Sequence, residues 1–296
     1  MQGKKLRELL AGPGMLRVPG AFDAWSARLV EMAGFEAVYM TGYGASAGVL
    51  GRPDIGLMTM AEMVRQARNM AAAVKIPLIA DADTGYGGIL NVIRTVQEYE
   101  RAGVAAIQLE DQVFPKRCGH MEGKRIISAD EMIAKIRAAV RARRSEDLII
   151  IARTDARAVT GLEDAVSRAV RYGQAGADVL FVEAPRSIEE MAQIVNRVGK
   201  PLLANMVEKG KTPFLPADAL ARIGYKMAIY PVTTLFAATR AMIKVLARLK
   251  AEGTTENCLQ DLVGFDEFNR LIGVDAMRAL EKEFTEAAAE GEPGPC

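Results

Sequence analysis

The chain has 296 residues, half of them hydrophobic, and its 38 lysines and arginines nearly balance 37 aspartates and glutamates. A net charge this close to zero argues against a nucleic-acid-binding protein or a membrane-surface protein, and no apolar run approaches the ~20 residues of a membrane-spanning helix. The three cysteines are widely spaced and form no disulfide framework, so we expect a cytoplasmic protein in a reducing compartment.

Short apolar segments alternate along the chain with longer amphipathic ones, which is typical of a parallel sheet covered by helices. We predict strands at 15–20, 36–42, 76–83, 104–111, 148–156, 178–184, 201–206 and 226–231. Helical patterns follow at 21–34, 89–103, 128–144, 162–176 and 187–199. Eight strands that each lead into a helix predict a (β/α)8 TIM-type barrel. A doubly wound sheet is the alternative, and no glycine-rich dinucleotide fingerprint follows the first strand to support it.

We expect three regions along the chain: a catalytic barrel at 1–252, a helical extension at 253–290 and a frayed tail at 291–296. The extension carries apolar residues at helical spacing, including Phe265 and Phe268, which a single barrel does not obviously need. This face could pack on its own barrel or on that of a neighbouring subunit.

Polar residues follow the predicted strands at their carboxyl ends, where barrels of this kind form their active sites. Asp81 and Asp83 follow the third strand and Glu110 follows the fourth. Such an oxygen-rich cluster suits a hard cation such as Mg²⁺. Aspartates at these places could instead cap helices or form turns. Crowded carboxylates repel one another unless a cation neutralises them, which favours the metal.

Arg153 ends the fifth predicted strand. A guanidinium there can clamp a substrate carboxylate or phosphonate through two parallel hydrogen bonds. The alternative is a salt bridge to Glu110 or Asp155.

The stretch "KRCGHMEGK" (116–124) holds the only histidine, His120, close to Cys118. One histidine and one cysteine cannot form a closed zinc site. We predict a mobile loop at the barrel mouth, in which Lys116, Arg117 and His120 favour the reactive thiolate form of Cys118. The alternative is a surface loop with an incidental cysteine.

Several motifs are distinctive as a set: "DADTGYG", "LEDQ", "KRCGH", "ARTDA" and "LANMVEKGKTP". With "VPGAFDAWSARLVEMAGFEAVYMTG" near the start, they resemble the isocitrate lyase/phosphoenolpyruvate mutase superfamily over nearly the whole chain. Within it the sequence is most similar to the 2,3-dimethylmalate lyases, the 2-methylisocitrate lyases and the carboxyphosphonoenolpyruvate phosphonomutases. The resemblance implies a (β/α)8 barrel whose last helix is swapped between two subunits, usually within a dimer of dimers.

The resemblance also implies a site. It implies Mg²⁺ or Mn²⁺ held by Asp81, Asp83 and Glu110, with Asp54 helping through water. It implies that the KRCGH loop closes over the substrate and that Cys118 is the general acid. The further residues it implies are Arg153, His120 and Asn205 for the substrate carboxylates; Thr41, Gly42 and Tyr43 for the pyruvate part; Gly119 beside the substrate; Glu183 to orient these partners; and Tyr39 as the candidate base.

The chemistry implied is cleavage of the C2–C3 bond of a 2-hydroxy di- or tricarboxylate, which gives an oxo acid such as pyruvate and a second carboxylate. In the 2-methylisocitrate lyases the eighth strand is followed by a motif similar to "YP(L)S-x-x-R". Its arginine helps to hold an extra carboxylate. This chain has "YPVTTLF" with Phe236 at that place, which favours a smaller, more apolar substrate such as a methylated malate. Arg240 lies one turn further on and could substitute.

Two other functions compete with the lyase. A phosphonomutase would move a phosphoryl group between oxygen and carbon with the same metal and Arg153. A barrel without catalysis would only bind a metabolite. An intact cluster of carboxylates and Cys118 argues against this, because such groups would then destabilise the protein without serving a reaction.

Overall fold

The computed structural model describes residues 2–119 and 121–289. Its strands are all parallel and lie where the sequence predicts them. They are β1 (Leu16–Ala21), β2 (Val38–Met40), β3 (Leu78–Asp81), β4 (Ala106–Glu110), β5 (Ile149–Thr154), β6 (Val179–Val182), β7 (Leu203–Asn205) and β8 (Met227–Tyr230).

Helices precede, separate and follow these strands along the chain. They are α1 (Gln2–Ala11), α2 (Ala24–Met32), α3 (Gly42–Ala45), α4 (Met60–Ala73), α5 (Ile89–Arg101), α6 (Ala129–Ala142), α7 (Ala156–Val159), α8 (Leu162–Gln174), α9 (Ile188–Arg197), α10 (Ala217–Ile223), α11 (Thr233–Glu252), α12 (Phe265–Ile272) and α13 (Val274–Ala289). A π-helical turn covers Ser46–Leu50 and a 3₁₀ helix covers Glu256–Asp261.

The strands follow one another around a barrel, in the order β6-β5-β4-β3-β2-β1-β8-β7. The two outer strands of that order meet at a bridge between Leu180 and Leu202, and the Leu180 N–H donates to the Pro201 carbonyl at 2.9 Å. The predicted (β/α)8 barrel is therefore confirmed.

The core has two layers, because alternate side chains of a strand point to opposite faces. One layer lies between strands and helices, and it includes fully buried Met63, Tyr99 and Tyr172. The other lies inside the barrel and includes Ile79, Ile151 and Phe181, with Leu6 and Leu10 of α1 packed into the same cluster. Because apolar side chains fill the inside of the barrel, the polar side chains gather at the carboxyl ends of the strands.

Helix starts in the barrel are fixed by side-chain caps. Ser128 accepts a hydrogen bond from the Glu131 N–H at 3.1 Å and begins α6. Asp23 and Ser26 form a capping box at the start of α2. Each cap satisfies an N–H group that has no partner inside the helix.

The chain divides into two compact units after Phe236. The second unit carries large apolar side chains that are exposed in the single chain, such as Phe265 (82% exposed) and Met277 (69% exposed). The expected boundary at residue 252, the extension at 253–290 and its exchange between subunits stay predictions, and the predicted tail at 291–296 lies outside the described residues.

Among the described helices none combines the length and apolar character needed to cross a bilayer.

Candidate active site

A cavity of about 210 Å³ opens at the carboxyl ends of the strands. Ten of the predicted site residues line it, namely Tyr39, Thr41, Tyr43, Asp54, Asp81, Cys118, Gly119, Arg153, Glu183 and Asn205. Lys116, Met121, Val207, Ile229, Pro231, Val232 and Phe236 complete the lining. The predicted residue His120 lies outside the described residues.

The carboxylates of this site surround a buried lysine. The Lys116 Nζ lies 2.6 Å from Asp54 Oδ1 and 2.8 Å from Asp83 Oδ1, and the Lys116 side chain is 2% exposed. The sequence predicted that Lys116 would act on the thiol of Cys118 from a mobile loop at the barrel mouth. The structure instead places its ammonium group in the carboxylate cluster, because the loop folds inward toward β3.

The pKa values of Glu110, Asp83 and Lys116 depart from their usual ranges. Burial raises the pKa of Glu110 well above its usual range and raises the pKa of Asp83 to about 6, although Lys116 works against it. Burial alone would lower the pKa of Lys116, but Asp83 and Asp54 outweigh it and raise that pKa well above its usual value. One ammonium group does not fully offset this much buried negative charge.

The donor set fits a hard divalent cation. Asp81, Asp83 and Glu110 are almost fully buried, and Glu110 Oε1 has no hydrogen-bond partner among the described residues. Within that part of the chain, no three carboxylate, imidazole or thiol groups form a ready-made metal cage. Mg²⁺ usually keeps several waters and takes only one or two carboxylates, so an open set of oxygen ligands suits it.

Three side chains outside the cavity hold the loop that follows β3. The Tyr99 hydroxyl donates to the Asp81 carbonyl at 3.0 Å, Thr95 Oγ1 donates to the Gly85 carbonyl at 3.2 Å, and Lys135 Nζ donates to the Thr84 carbonyl at 3.2 Å. These three residues were not predicted from the sequence. The i, i+4 spacing of Thr95 and Tyr99 on the buried face of α5 is the sequence feature that could have pointed to two of them.

Arg153 makes the salt bridge to Asp155 that the sequence left as an alternative. Its Nε and Nη2 lie 2.9 and 3.0 Å from the two carboxylate oxygens of Asp155. Nη2 also lies 3.2 Å from Glu183 Oε2, and Nη1 lies 3.5 Å from Glu110 Oε2. Asn205 Nδ2 donates to the same Glu183 oxygen at 3.2 Å. Arg153 therefore faces the cavity from a rigid frame of carboxylates.

The charge of Asp155 is secured by its neighbours. Burial would raise the pKa of Asp155, but Arg153 and Lys124 outweigh that effect and lower it to about 2. Asp155 is thus ionised at neutral pH and holds Arg153 as a fixed counter-ion.

A glutamine at the base of the loop 116–124 fixes the path of the chain. Gln112 Nε2 donates to the Arg117 carbonyl at 2.7 Å, and the Arg117 N–H donates to Gln112 Oε1 at 3.0 Å. The Cys118 N–H donates to the Asp54 carbonyl at 3.2 Å. These bonds place Cys118 on the cavity wall, half-buried, whereas the Arg117 guanidinium donates to the Glu122 carbonyl.

Tyr39 lies deep in the barrel. Its hydroxyl donates to Gln108 Oε1 at 3.2 Å, and burial raises the pKa of Tyr39 well above its usual value. In this geometry the Tyr39 hydroxyl is a hydrogen-bond donor, and its expected role as the base stays a prediction. Gln108 was not predicted, although a glutamine inside the apolar strand "AIQLE" is unusual.

The segment after β2 packs tightly on the carboxylates. Thr41 Oγ1 accepts from the Gly44 N–H at 3.3 Å and caps α3. A Cβ added to Gly42 would lie 2.7 Å from Asp81 Oδ2, which is too close for a carbon atom. Only glycine lets the backbone approach the cluster here.

Apolar residues form one wall of the cavity. The rings of Tyr43 and Phe236 meet edge to face, with centroids 6.5 Å apart and an interplanar angle of 85°. Val207, Ile229 and Val232 add aliphatic surface to the lining. This wall cannot pair a charged group but can bury methyl groups.

Asp111 also follows β4 but belongs to the scaffold. Its carboxylate accepts from Thr154 Oγ1 at 2.7 Å, from the Tyr172 hydroxyl at 2.8 Å and from Arg168 Nη1 at 3.3 Å. It joins β4 and β5 to α8 and does not line the cavity.

The sequence and the fold match known proteins over most of the chain. The family described as phosphoenolpyruvate phosphomutase matches residues 6–250. The 2,3-dimethylmalate lyase of Eubacterium barkeri is 49% identical over 280 residues, which cover 95% of this chain and 97% of that protein. The 2-methylisocitrate lyase of Aeropyrum pernix is 46% identical over 288 residues, covering 97% and 92%.

Solved structures agree with these relatives. A crystal structure of 2,3-dimethylmalate lyase, a member of the PEP mutase/isocitrate lyase superfamily, superposes with a TM-score of 0.90 at 38% identity and covers 99% of this chain and 98% of that one. A phosphonopyruvate hydrolase in complex with oxalate and Mg²⁺ superposes with a TM-score of 0.87 at 31% identity, covering 96% and 99%.

Proposed function

Because the chain belongs to the phosphoenolpyruvate phosphomutase family, we propose that it is a Mg²⁺-dependent carbon–carbon lyase that releases pyruvate from a substituted malate or a 2-methylisocitrate-type acid. The observation that carries the proposal is that one cavity brings Cys118 together with Asp81 and Arg153. Relatives named as lyases at 49% and 46% identity support the same reaction class.

Asp81, Asp83 and Glu110 would hold Mg²⁺ or Mn²⁺, with Asp54 helping through water. When bound there, the cation supplies Lewis-acid stabilisation of the negative charge on the substrate oxygens. The related phosphonopyruvate hydrolase bound to Mg²⁺ and oxalate supports this assignment. Lys116 lies in the same cluster and offsets part of its negative charge.

The chain's own residues then bind the substrate and move its protons. Arg153 and Asn205, together with His120, would bind the carboxylates, and Glu183 would hold the first two in place through the contacts described above. Thr41, Gly42 and Tyr43 would cradle the pyruvate part, with Gly119 against the substrate.

Cleavage needs one proton removed and one delivered. Loss of the 2-hydroxyl proton lets the C2–C3 electron pair move onto C3, which leaves a 2-oxo acid and a carboxylate-stabilised carbanion. The Cys118 thiol protonates that carbanion as general acid, and the resulting thiolate takes up a proton before the next turnover. Tyr39 lines the cavity and is the candidate acceptor of the 2-hydroxyl proton; it would take up that proton as the phenolate, which burial makes less populated but more basic by raising the pKa of Tyr39.

The apolar wall bears on substrate choice. Phe236 and Tyr43 offer ring surface to a substituent on the substrate, and each buried methyl group is worth about 1–3 kcal/mol of discrimination. A methylated malate, a di- rather than tricarboxylate, is the substrate that this wall favours.

We also propose that the extension at 253–290 packs on a neighbouring subunit in a dimer of dimers. The exposed apolar side chains of α12 and α13, such as Phe265 and Met277, support it, because such surface is costly to leave in water. Light scattering that gives the mass of one chain would refute this assembly.

The direct test of the proposed function is pyruvate release. Purified protein with Mg²⁺ should release pyruvate from either 2,3-dimethylmalate or 2-methylisocitrate. Lactate dehydrogenase reduces that pyruvate and oxidises NADH, so the absorbance of NADH should fall. EDTA should abolish this fall. Unchanged turnover in EDTA would remove the metal from the proposal. No pyruvate from either acid, together with a ³¹P resonance shift on a phosphonate substrate, would replace the lyase with the phosphonomutase.

A further inference from the structure

The last residue of "KRCGHMEGK" has no role in the proposed chemistry, yet its side chain is only 2% exposed. The Lys124 ammonium donates to the Gly119 carbonyl and to Asp155 Oδ1, the latter at 2.7 Å. One cation therefore joins the backbone beside Cys118 to the carboxylate that holds Arg153.

The loop and Arg153 are also in direct contact. A Cβ added to Gly119 would lie 2.4 Å from Arg153 Nη2 and 2.5 Å from Glu183 Oε2. The peptide that follows Cys118 thus rests on the guanidinium and on its partner. Lys124 binds the Gly119 carbonyl directly, and it is linked to Arg153 through Asp155, which makes two bonds to Arg153.

The burial of this bridge distinguishes it from an ordinary loop contact. Charge-assisted hydrogen bonds that are shielded from water are stronger and more directional than exposed ion pairs. Lys211 binds the same loop from outside through Glu122, where Glu122 is 91% exposed. An exposed pair of that kind contributes little to the position of the backbone.

We propose that Lys124 is a positioning residue that fixes the Cys118–Gly119 peptide relative to Arg153, so that the proton donor and the carboxylate-binding group reach the substrate together. The inference rests on the proposed function and assigns Lys124 no contact with the substrate.

The test uses the full-length protein with Lys124→Met, which keeps most of the side-chain length and removes the ammonium group. Lys124→Gln serves as the second variant if the first does not fold, and Lys211→Met is the matched control. We expect kcat for pyruvate release to fall about 100-fold in the Lys124 variants, as for a displacement of about 1 Å at a reacting group. Lys211→Met should keep the wild-type kcat.

Hydrogen exchange supplies a readout that does not need turnover. Amides of the peptide 116–121 should exchange about 10- to 100-fold faster in Lys124→Met, the effect of losing a hydrogen bond to a charged group, while amides of β4 and β5 keep their wild-type rates. Equal exchange in both proteins, an unchanged kcat, or the same changes in Lys211→Met would overturn the proposal. If the wild-type protein releases no pyruvate, the proposed function fails, and the exchange comparison alone decides whether Lys124 holds the loop.

Discussion

Replacing Gly119 with alanine tests how closely the loop must approach Arg153. The added Cβ would lie 2.4 Å from Arg153 Nη2 and 2.6 Å from Glu183 Cδ, whereas ordinary contact begins at 3.4 Å. The atoms must separate by about 1 Å. Arg153 cannot easily yield, because Asp155 holds its guanidinium at two points, so the loop has to move.

Such a shift displaces the neighbouring thiol of Cys118 by a similar amount. A displacement of about 1 Å at a reacting group can reduce the rate about 100-fold, which corresponds to about 2.7 kcal/mol of transition-state stabilisation. We expect kcat/KM of Gly119→Ala in the coupled pyruvate assay to fall by that factor. The melting temperature should change little, because no strained backbone is involved.

Gly199→Ala is the control, since an added Cβ there meets no atom within 4 Å, and it should keep full activity. The reasoning would be refuted by a Gly119→Ala protein with wild-type kcat/KM. It would equally be refuted if an activity loss were matched by unfolding at the assay temperature.

The remaining predictions concern the acid, the apolar wall and the scaffold. Cys118→Ser should reduce pyruvate release about 10²- to 10⁴-fold while calorimetry finds Mg²⁺ binding intact; retained turnover would remove Cys118 from the acid role. Phe236→Ala should lower kcat/KM for 2,3-dimethylmalate about tenfold and change that for 2-methylisocitrate less, whereas an equal loss on both acids would contradict the assigned wall. Asp111→Asn should lower the free energy of unfolding by about 2–3 kcal/mol, since the partners of its carboxylate lose a charged acceptor; a urea midpoint equal to that of the wild type would argue against this.

The fold was predictable because each strand is a short, nearly continuous apolar run. Strands buried on both faces have this pattern, and β5, "IIIART", is buried along its entire length. The carboxyl ends of successive parallel strands meet at one rim, so Asp81, Glu110 and Arg153 could be grouped from the sequence alone.

The partners of the loop cations could not be predicted in the same way. Lys116 binds a carboxylate 62 residues away, at Asp54, and Lys124 binds one 31 residues away, at Asp155. Such pairings depend on the path of the loop through space, which no local pattern encodes. The local sequence indicated only that Lys116 was a cationic neighbour of Cys118.

The rim of the barrel divides its charges and its apolar surface between different strands. Asp81, Glu110, Arg153 and Glu183 come from the consecutive strands β3 to β6 or their ends, whereas the apolar lining residues between 207 and 236 lie in β8 or follow β7 and β8. A gene library confined to residues 207–236 would therefore vary the shape of the pocket and leave the electrostatics of bond cleavage intact. Evolution could change the substrate in the same way. A few substitutions among the apolar lining residues would alter the pocket, while the residues that transfer protons stay unchanged.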